Sequence, residues 1–219
     1  MAADQVHPLK LASLLLQYPT PEIAAALAGF DPGEVAPGHG RDRARIGEFL
    51  GWYRTRSLAD LQREYVQTFD FARQRTLHLT YHLHGDRRQR GLALLRLRQA
   101  YAAAGFDCSD TELPDYLPLM LEFATLAPKP AGAELLDGQR EAIELIRSSL
   151  RDDGSPYAKL LDLVSDSLPG LTSRQLARIR RAAAEGPPTE EVGLEPFAPP
   201  EVMPQPGDEG ARPMVGGTQ

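Results

Sequence analysis

The chain has 219 residues, of which 42% are hydrophobic and 25% are charged, and its formal net charge is −6. These values are ordinary for one globular domain of good size or two small ones. No apolar run approaches the roughly 18 residues that a membrane-spanning helix needs, and the first residues lack the features of a secretory signal. One cysteine, Cys108, excludes an internal disulfide framework, and a cysteine-based zinc site or iron–sulfur cluster built by this chain alone. We therefore expect a cytoplasmic protein.

The first part of the chain predicts a series of amphipathic helices. Three segments, at 10–19, 21–30 and 41–56, begin the series. Four apolar residues of the next segment recur at spacings of three and four, which places them on one face of a helix. These are Leu58, Leu61, Tyr65 and Phe69. Ser57, followed three residues later by Asp60, is typical of the capping box that begins a helix.

The segment TLHLTYHLHGD, residues 76–86, holds three of the five histidines and allows two interpretations. Its strict alternation is typical of a strand, on which His78, His82 and His84 would share one face, as a metal site requires. A strand needs a partner for its backbone groups, however, and no other segment reads as one. We therefore favour a helix that ends near Gly85. His78 and His82 then share a face, His84 points away, and all three are partly exposed.

Helical periodicity continues to residue 185. An apolar stripe runs through 86–105, where Gly105 supplies a C-terminal stop. The segment at 112–127 is apolar on nearly all sides and is expected to lie at the centre of the fold. Three further helices are predicted, over 137–153, 156–168 and 173–185. Loops are expected where glycine and proline cluster, near 29–40 and 127–132. The sequence thus predicts an all-α domain over residues 1–185, a single bundle of nine or ten helices.

Residues 186–219 differ in composition from the rest of the chain. They contain eight prolines, six acidic residues and one basic residue, and they show no apolar periodicity. Such a segment cannot bury enough surface to offset the entropy lost on ordering, so we expect a disordered, acidic tail. Because most of the net charge lies in the tail, residues 1–185 are close to neutral, which argues against a general nucleic-acid binder.

Five motifs along the chain resemble one family. They are EYVQTFD (64–70), TLHLTY (76–81), GDRRQRGLAL (85–94), QAYAAAGF (99–106) and ELPDYLPLMLEFA (112–124). In this order they resemble the NarJ family, the molybdenum-cofactor assembly chaperones of respiratory nitrate reductase, also called its delta subunit. The resemblance extends over about residues 8–185. The family pattern usually has histidine after ELPD, where this chain has Tyr116.

The resemblance implies an all-helical, cytoplasmic chaperone that is not an enzyme. It would bind the N-terminal segment of the nitrate reductase alpha subunit and hold the apoenzyme competent for insertion of the molybdenum cofactor. It would also delay docking onto the membrane subunit until metal loading is complete. Proteins that deliver the cofactor would be further partners. The resemblance implies no stably bound cofactor, no nucleic-acid partner and no stable membrane association.

Recognition of a short amphipathic helix requires a groove with apolar anchors and a few polar groups at its rim. The predicted anchors are Tyr65, Phe69, Leu77, Tyr81, Leu117, Leu121 and Phe123. Plain core packing is the alternative for each. Glu112 and Asp115, set around Pro114 at a helix start, would pair with a basic residue of the peptide, or would stabilise the helix N-terminus.

Three arginines, Arg87, Arg88 and Arg90, lie at another helix start, where positive charge is mildly unfavourable. They indicate either an acidic partner surface or an ordinary solvated run of charges.

Two other functions fit parts of the sequence. A metal-dependent enzyme would use His78 and His82, although HLTYH lacks the glutamate of the HExxH motif and a third ligand. A helical nucleic-acid-binding regulator would use LTSRQLARIRRA (171–182). That segment carries Arg174, Arg178, Arg180 and Arg181. One basic helix on a nearly neutral body is weak support for this alternative.

Overall fold

The structure is a computed structural model that describes residues 5–38, 40–85, 88–108 and 112–185. The structural statements below concern these residues. Two predictions lie outside them, namely the disordered tail over 186–219 and the role of Arg87 at a helix start. The boundary between domain and tail at residue 185 therefore stays a prediction.

Eleven α-helices account for most of the described residues, and the all-α prediction is confirmed. The first five are α1 (Pro8–Leu15), α2 (Pro21–Ala28), α3 (Asp42–Arg54), α4 (Leu58–Tyr65) and α5 (Leu79–His84). The other six are α6 (Arg88–Ala103), α7 (Leu117–Leu126), α8 (Ala131–Gly138), α9 (Arg140–Asp152), α10 (Ala158–Asp166) and α11 (Ser173–Glu185). Short helical turns lie at Pro32–Glu34, Val66–Asp70 and Arg73–Arg75. Strand-like pairing in this part of the chain consists of two isolated bridges, Val6 with Val35 and His78 with Tyr116.

Two helix ends lie where the sequence predicts them. The Ser57 hydroxyl accepts a hydrogen bond from the Asp60 backbone N–H at 3.2 Å, which caps the start of α4. The Asp60 carboxylate in turn accepts a hydrogen bond from the Ser57 hydroxyl at 2.6 Å. After α6, Gly105 has a φ of 84°, a left-handed conformation that glycine adopts without strain. The predicted cap and the predicted stop are therefore both confirmed.

Helix α8 is absent from the sequence-based prediction, which has a loop over 127–132. Pro128, Pro130 and Gly132 indicate a break there. Pro130 nevertheless lies just before the first helical residue, where its missing N–H leaves no helical hydrogen bond unmade. A Cβ added to Gly132 would lie 2.5 Å from the Ala124 Cα of α7. The glycine thus allows a close contact between two helices and does not interrupt the chain.

Helix α7 lies at the centre of the core, as its apolar sequence predicts. Leu117, Met120 and Leu121 have no exposed surface, and the helix packs against α1 and α8. Burying a leucine-sized side chain contributes roughly 1.5–3 kcal/mol. The Ser13 hydroxyl of α1 donates a hydrogen bond to the Pro118 carbonyl at 2.7 Å. This helix therefore anchors the end of the segment just before it, where Pro114 and Asp115 are buried.

A cluster of aromatic rings joins α3, α4 and the start of α10. The Tyr157 ring centre lies 4.9 Å from that of Phe69, 5.2 Å from that of Phe49 and 5.6 Å from that of Trp52. The rings of Tyr65 and Phe69 are 4.9 Å apart. Tilted and edge-to-face pairs at such distances are favourable. The cluster therefore fixes Tyr65 and Phe69 in the core.

Candidate functional site

The chain leaves α4 through a π-helical turn at Val66–Asp70, a rare conformation that is frequent at functional sites. This turn directs Phe69 into the core, with 3% of the residue exposed. It leaves Phe71 on the surface, with 80% exposed. A single exposed aromatic residue needs no explanation by itself. Phe71 is of interest because two charged residues close to it in sequence, Asp70 and Arg73, line the cavity described below.

The residues that follow, 76–78, are extended and pair with the start of α7. The Leu79 N–H donates a hydrogen bond to the Asp115 carbonyl at 3.0 Å, and the Leu117 N–H donates one to the Leu77 carbonyl at 2.9 Å. These two bonds set the motif TLHLTY beside the motif ELPDY. They also place the Asp115 side chain at the first turn of α5.

Asp115 caps α5 from a distant part of the chain. His78, at the N-cap position of α5, makes no side-chain capping bond. Instead, Asp115 Oδ2 accepts a hydrogen bond from the Thr80 backbone N–H at 3.1 Å and another from the Thr80 hydroxyl. Asp115 has no exposed surface. A buried carboxylate is tolerated only when it is well paired, so these bonds define its structural role.

Two further side chains complete the surroundings of Asp115. Its Oδ1 accepts a hydrogen bond from His78 Nδ1 at 3.3 Å, so that nitrogen carries a proton. Arg90 of α6 places Nη2 3.6 Å from Asp115 Oδ2 and donates from Nε to the Thr80 hydroxyl at 3.3 Å. Burial favours the neutral form of Asp115 and so raises its pKa. The hydrogen bonds from His78 and Thr80 and the charge of Arg90 favour the ionised form and outweigh the effect of burial. Together they hold the pKa of Asp115 below its ordinary value, so the group is ionised at neutral pH.

A surface cavity of about 350 Å³ adjoins this buried carboxylate. It is lined by Phe69, Asp70, Arg73, Thr76, His78, Tyr81 and Arg90. The Arg90 guanidinium lies 5.8 Å from the centre of the Tyr81 ring, within the range of a cation–π contact. The cavity therefore combines an aromatic ring with charged groups of both signs, which suits the side chains of a bound peptide.

Most of the ten residues predicted to bind a peptide lie in the core. Six of the seven apolar ones are at most 5% exposed. These six are Tyr65, Phe69, Leu77, Leu117, Leu121 and Phe123. Pro114 and Asp115 are also buried, whereas Tyr81 and Glu112 are partly exposed. Direct contact of the buried residues with a peptide stays a prediction, and it requires this part of the core to open.

The histidines of TLHLTYHLHGD do not all lie as predicted. The helix is confirmed over Leu79–His84, but the bridge to the start of α7 leaves His78 extended before it. His78 and His82 therefore share no helical face, and that prediction is wrong. His82 is 3% exposed, not partly exposed, and its Nε2–H donates to the Thr76 carbonyl at 2.8 Å. Burial lowers the pKa of His82 and keeps the imidazole neutral at pH 7.

The two imidazoles of the metal-enzyme alternative are each bonded inside the protein. His78 bonds to the Asp115 carboxylate and His82 bonds to the Thr76 carbonyl. Within the described ranges, no group of three or more His, Cys, Asp or Glu side chains could hold a metal ion.

One of the three arginines at the start of α6 has an acidic partner inside the protein. Arg90 interacts with the buried carboxylate of Asp115. An acid distant in sequence therefore balances the charge of Arg90 inside the protein, which neither of the two interpretations of the three arginines foresaw. Arg88 is exposed, and Arg87 lies outside the described residues.

Helix α11 carries the basic segment of the nucleic-acid alternative. Arg178 Nε lies 2.9 Å from Glu141 Oε1 of α9, and Arg181 Nε lies 2.8 Å from Glu185 Oε1. Two of the four arginines are thus paired with acids. This pairing reduces the positive potential that a phosphate backbone would meet.

Comparison with known proteins decides the family. The family described as the nitrate reductase delta subunit matches residues 34–161. The chain belongs to this family. The match includes the π-helical turn, the buried Asp115 and the cavity beside it, and it ends before α11. The resemblance to NarJ proteins is therefore confirmed.

Three named proteins are similar to this chain over more than half of its length. The probable nitrate reductase molybdenum cofactor assembly chaperone NarJ of Bacillus subtilis (strain 168) is 34% identical over 163 residues, which are 74% of this chain and 89% of that protein. The chaperone NarJ of Escherichia coli (strain K12) is 35% identical over 123 residues, 56% of this chain and 52% of that protein. The probable chaperone NarW of the same strain is 31% identical over 160 residues, 70% of this chain and 64% of that protein. No helix among the described residues has both the length and the apolar character needed to cross a bilayer.

Proposed function

We propose that this delta subunit family member is an assembly chaperone for a nitrate reductase and assists insertion of its molybdenum cofactor. The observation that carries the proposal is 34% identity across 89% of the B. subtilis protein that bears this description. The E. coli relatives carry the same kind of name. Since these relatives are named as chaperones, the function proposed here is likewise not catalytic.

The proposed client is the apo form of the reductase alpha subunit. The chaperone binds its N-terminal segment in the cytoplasm, holds the apoenzyme open to the cofactor, and delays docking onto the membrane subunit. Proteins that deliver the cofactor are transient partners. No resident cofactor, nucleic acid or stable membrane contact is part of this function. The motif-by-motif resemblance to NarJ proteins supports these details.

The proposed binding area is the Phe71 surface, which we define as Phe71, Asp70, Arg73, His78 and Tyr81. Phe71 supplies an exposed apolar anchor beside the 350 Å³ cavity that the other four residues help to line. Aromatic residues and arginine are enriched where binding energy concentrates. Of the residues predicted from sequence, Tyr81 lies in this surface and Asp115 supports it from the core.

Calorimetric titration with a synthetic peptide of the alpha-subunit N-terminus tests this proposal. The wild-type protein is expected to give saturable binding. Phe71→Ala should weaken the affinity about tenfold, because truncating an anchor at an interface typically costs more than 1 kcal/mol. Leu126→Ala is the matched control: Leu126 is 58% exposed and does not line the cavity, so the affinity should not change.

Two results would contradict the proposal at different levels. If calorimetry shows no heat and NMR shows no shifts at high micromolar peptide, recognition of this peptide is wrong. If the peptide binds and Phe71→Ala behaves like Leu126→Ala, the client binds elsewhere on the protein.

A further inference from the structure

Helix α11 contacts the rest of the protein through a narrow stripe. None of its 13 residues is buried. Gln175, Ile179 and Ala182 are half-buried, and their spacing of four and three residues places them on one face of the helix. Ile179 is the largest apolar side chain of the three. Elements with so few buried contacts are the first to open in a folded protein.

The surface beneath α11 is one face of α9. Glu141, Leu145, Ser148, Ser149 and Asp152 follow helical spacing and lie on this face, and we call them the α9 stripe. The other side of α9 is buried in the core. Between α11 and the stripe lies a cavity of about 540 Å³. The two helices therefore touch without the close packing that is normal in a protein interior.

The charges of α11 and of the α9 stripe are complementary. The stripe contains two acids and no base, whereas α11 carries four arginines and one glutamate. Glu141 is 8% exposed and bonds to Arg178 at 2.9 Å. Arg75 also lines this cavity, from outside the two helices, and its charge is paired with Asp153. The stripe thus offers an acidic and partly apolar groove to a basic amphipathic helix.

The Phe71 surface lies on the other side of one short turn from this groove. The short turn Arg73–Arg75 separates the two cavities, because Arg73 lines the smaller one while Gln74 and Arg75 line the larger one. A peptide held at the Phe71 surface is therefore close to the end of the α9 stripe. Helix α11 also lies beyond residue 161, where the match to the family ends.

We infer that the α9 stripe is a docking groove for a basic amphipathic helix, and that α11 occupies it until a helix of the client displaces α11. This inference rests on the proposed function, since the displacing helix belongs to the N-terminal segment of the alpha subunit. Displacement uncovers no core residue of α11, because α11 buries none. In the free protein the client can bind only while α11 is away from the groove. The apparent affinity for the client is therefore the intrinsic affinity multiplied by the fraction of molecules in which the groove is open.

Two variants of the full chain separate this inference from a purely structural role of α11. Ile179→Ser removes the main apolar contact of α11 with the groove. Ala177→Ser introduces the same residue at an exposed position on the other side of the helix. The probe is a fluorescent peptide with the sequence of residues 172–185, and its binding is followed by anisotropy.

In the wild type, α11 of the same chain competes with the probe at a high effective concentration. Ile179→Ser weakens this competitor, so the probe should bind the variant about tenfold more tightly than the wild type. Ala177→Ser should match the wild type. Adding Glu141→Gln to Ile179→Ser should weaken the probe several-fold. Equal affinity for the wild type and Ile179→Ser, or no binding to either at millimolar probe, would overturn the inference. Dimerisation of Ile179→Ser with exclusion of the probe would also overturn it, because the occupant would then be the α11 of a second copy.

The alpha-subunit peptide, titrated into the same proteins, distinguishes the two proposals. On the present inference it binds Ile179→Ser more tightly than the wild type and displaces the probe. If it binds all variants equally and leaves the probe in place, the proposed function stands and the displacement of α11 is wrong. If it binds none of them while the probe binds as expected, the groove stands and the proposed client is wrong.

Discussion

Asp115 shows how one buried carboxylate positions several segments. From the sequence it is an acid at a helix start, which predicts either contact with a basic peptide or stabilisation of the helix that follows. In the structure it serves a different helix, because its side chain accepts the Thr80 N–H of α5. The same carboxylate holds His78 and Arg90, which line the cavity. Local sequence could not predict this role, since it depends on a contact between segments that are far apart in the chain.

Replacing Asp115 should destabilise the protein strongly. Asp115→Asn removes the charge that His78 and Arg90 face, and breaking a buried pair of this kind costs about 3 kcal/mol in the free energy of unfolding. Because the pKa of Asp115 is depressed when folded, this stabilisation is present above its ordinary pKa and is lost as the pH falls through the lower folded value. Urea denaturation measures the loss at pH 7. Glu112→Gln is the control, because Glu112 is a partly exposed acid of the same loop, and it should change the free energy of unfolding by about 0.5 kcal/mol or less. An equal loss in both variants would contradict the structural role of the Asp115 carboxylate.

His82 should make stability depend on pH in the mildly acidic range. Burial lowers its folded pKa below the ordinary value of about 6.5. Between these two values the unfolded chain binds a proton that the folded chain does not, so stability falls as the pH drops below about 6.5. The fall between pH 7 and pH 5 should be shallower in His82→Gln than in the wild type. His84→Gln is the control, because His84 is less buried, and it should keep most of the wild-type slope.

At the scale of elements, TLHLTYHLHGD combines the two interpretations that its sequence allows. Its alternating pattern predicts a strand, and residues 76–78 are indeed extended and paired with the start of α7. Its helical surroundings predict a helix, which is confirmed over Leu79–His84. The boundary between the two could not be predicted, because the segment paired with 76–78 is too short to read as a strand.

Helix α8 leads to a prediction at the same scale. Gly132→Ala should destabilise the protein by about 2 kcal/mol, because the new Cβ meets the backbone of α7 at Ala124 and forces the two helices apart. Gly138→Ala is the matched control in the same helix, since no atom lies within 4 Å of its added Cβ. It should be neutral or slightly stabilising. Thermal unfolding of both variants measures the difference, and similar melting temperatures would show that the α7–α8 contact is not tight.

At the scale of the whole molecule, the fold class and the family could be predicted from the sequence. The residues that form the candidate binding surface could not. Helical periodicity and helical surroundings predict ten of the eleven α-helices in the described part of the chain, most of which bury one face. Helix α8 was not predicted, because its prolines and glycine indicate a loop. Of the motifs used to recognise the family, ELPDYLPLMLEFA contributes core residues such as Leu117 and Leu121, whereas QAYAAAGF buries Tyr101 alone.

His78 and Arg90 acquire their significance only from the fold that brings them to one cavity. Phe71 acquires its significance from the turn that leaves it exposed next to Asp70, which lines that cavity.

The central claim is that the protein assists insertion of the molybdenum cofactor into a nitrate reductase. Its most direct test is the molybdenum content of the purified alpha subunit, produced with and without this protein and measured by mass spectrometry. The account predicts near-stoichiometric molybdenum when the protein is present and several-fold less when it is absent, at equal amounts of alpha subunit. Equal molybdenum content in the two preparations would contradict it.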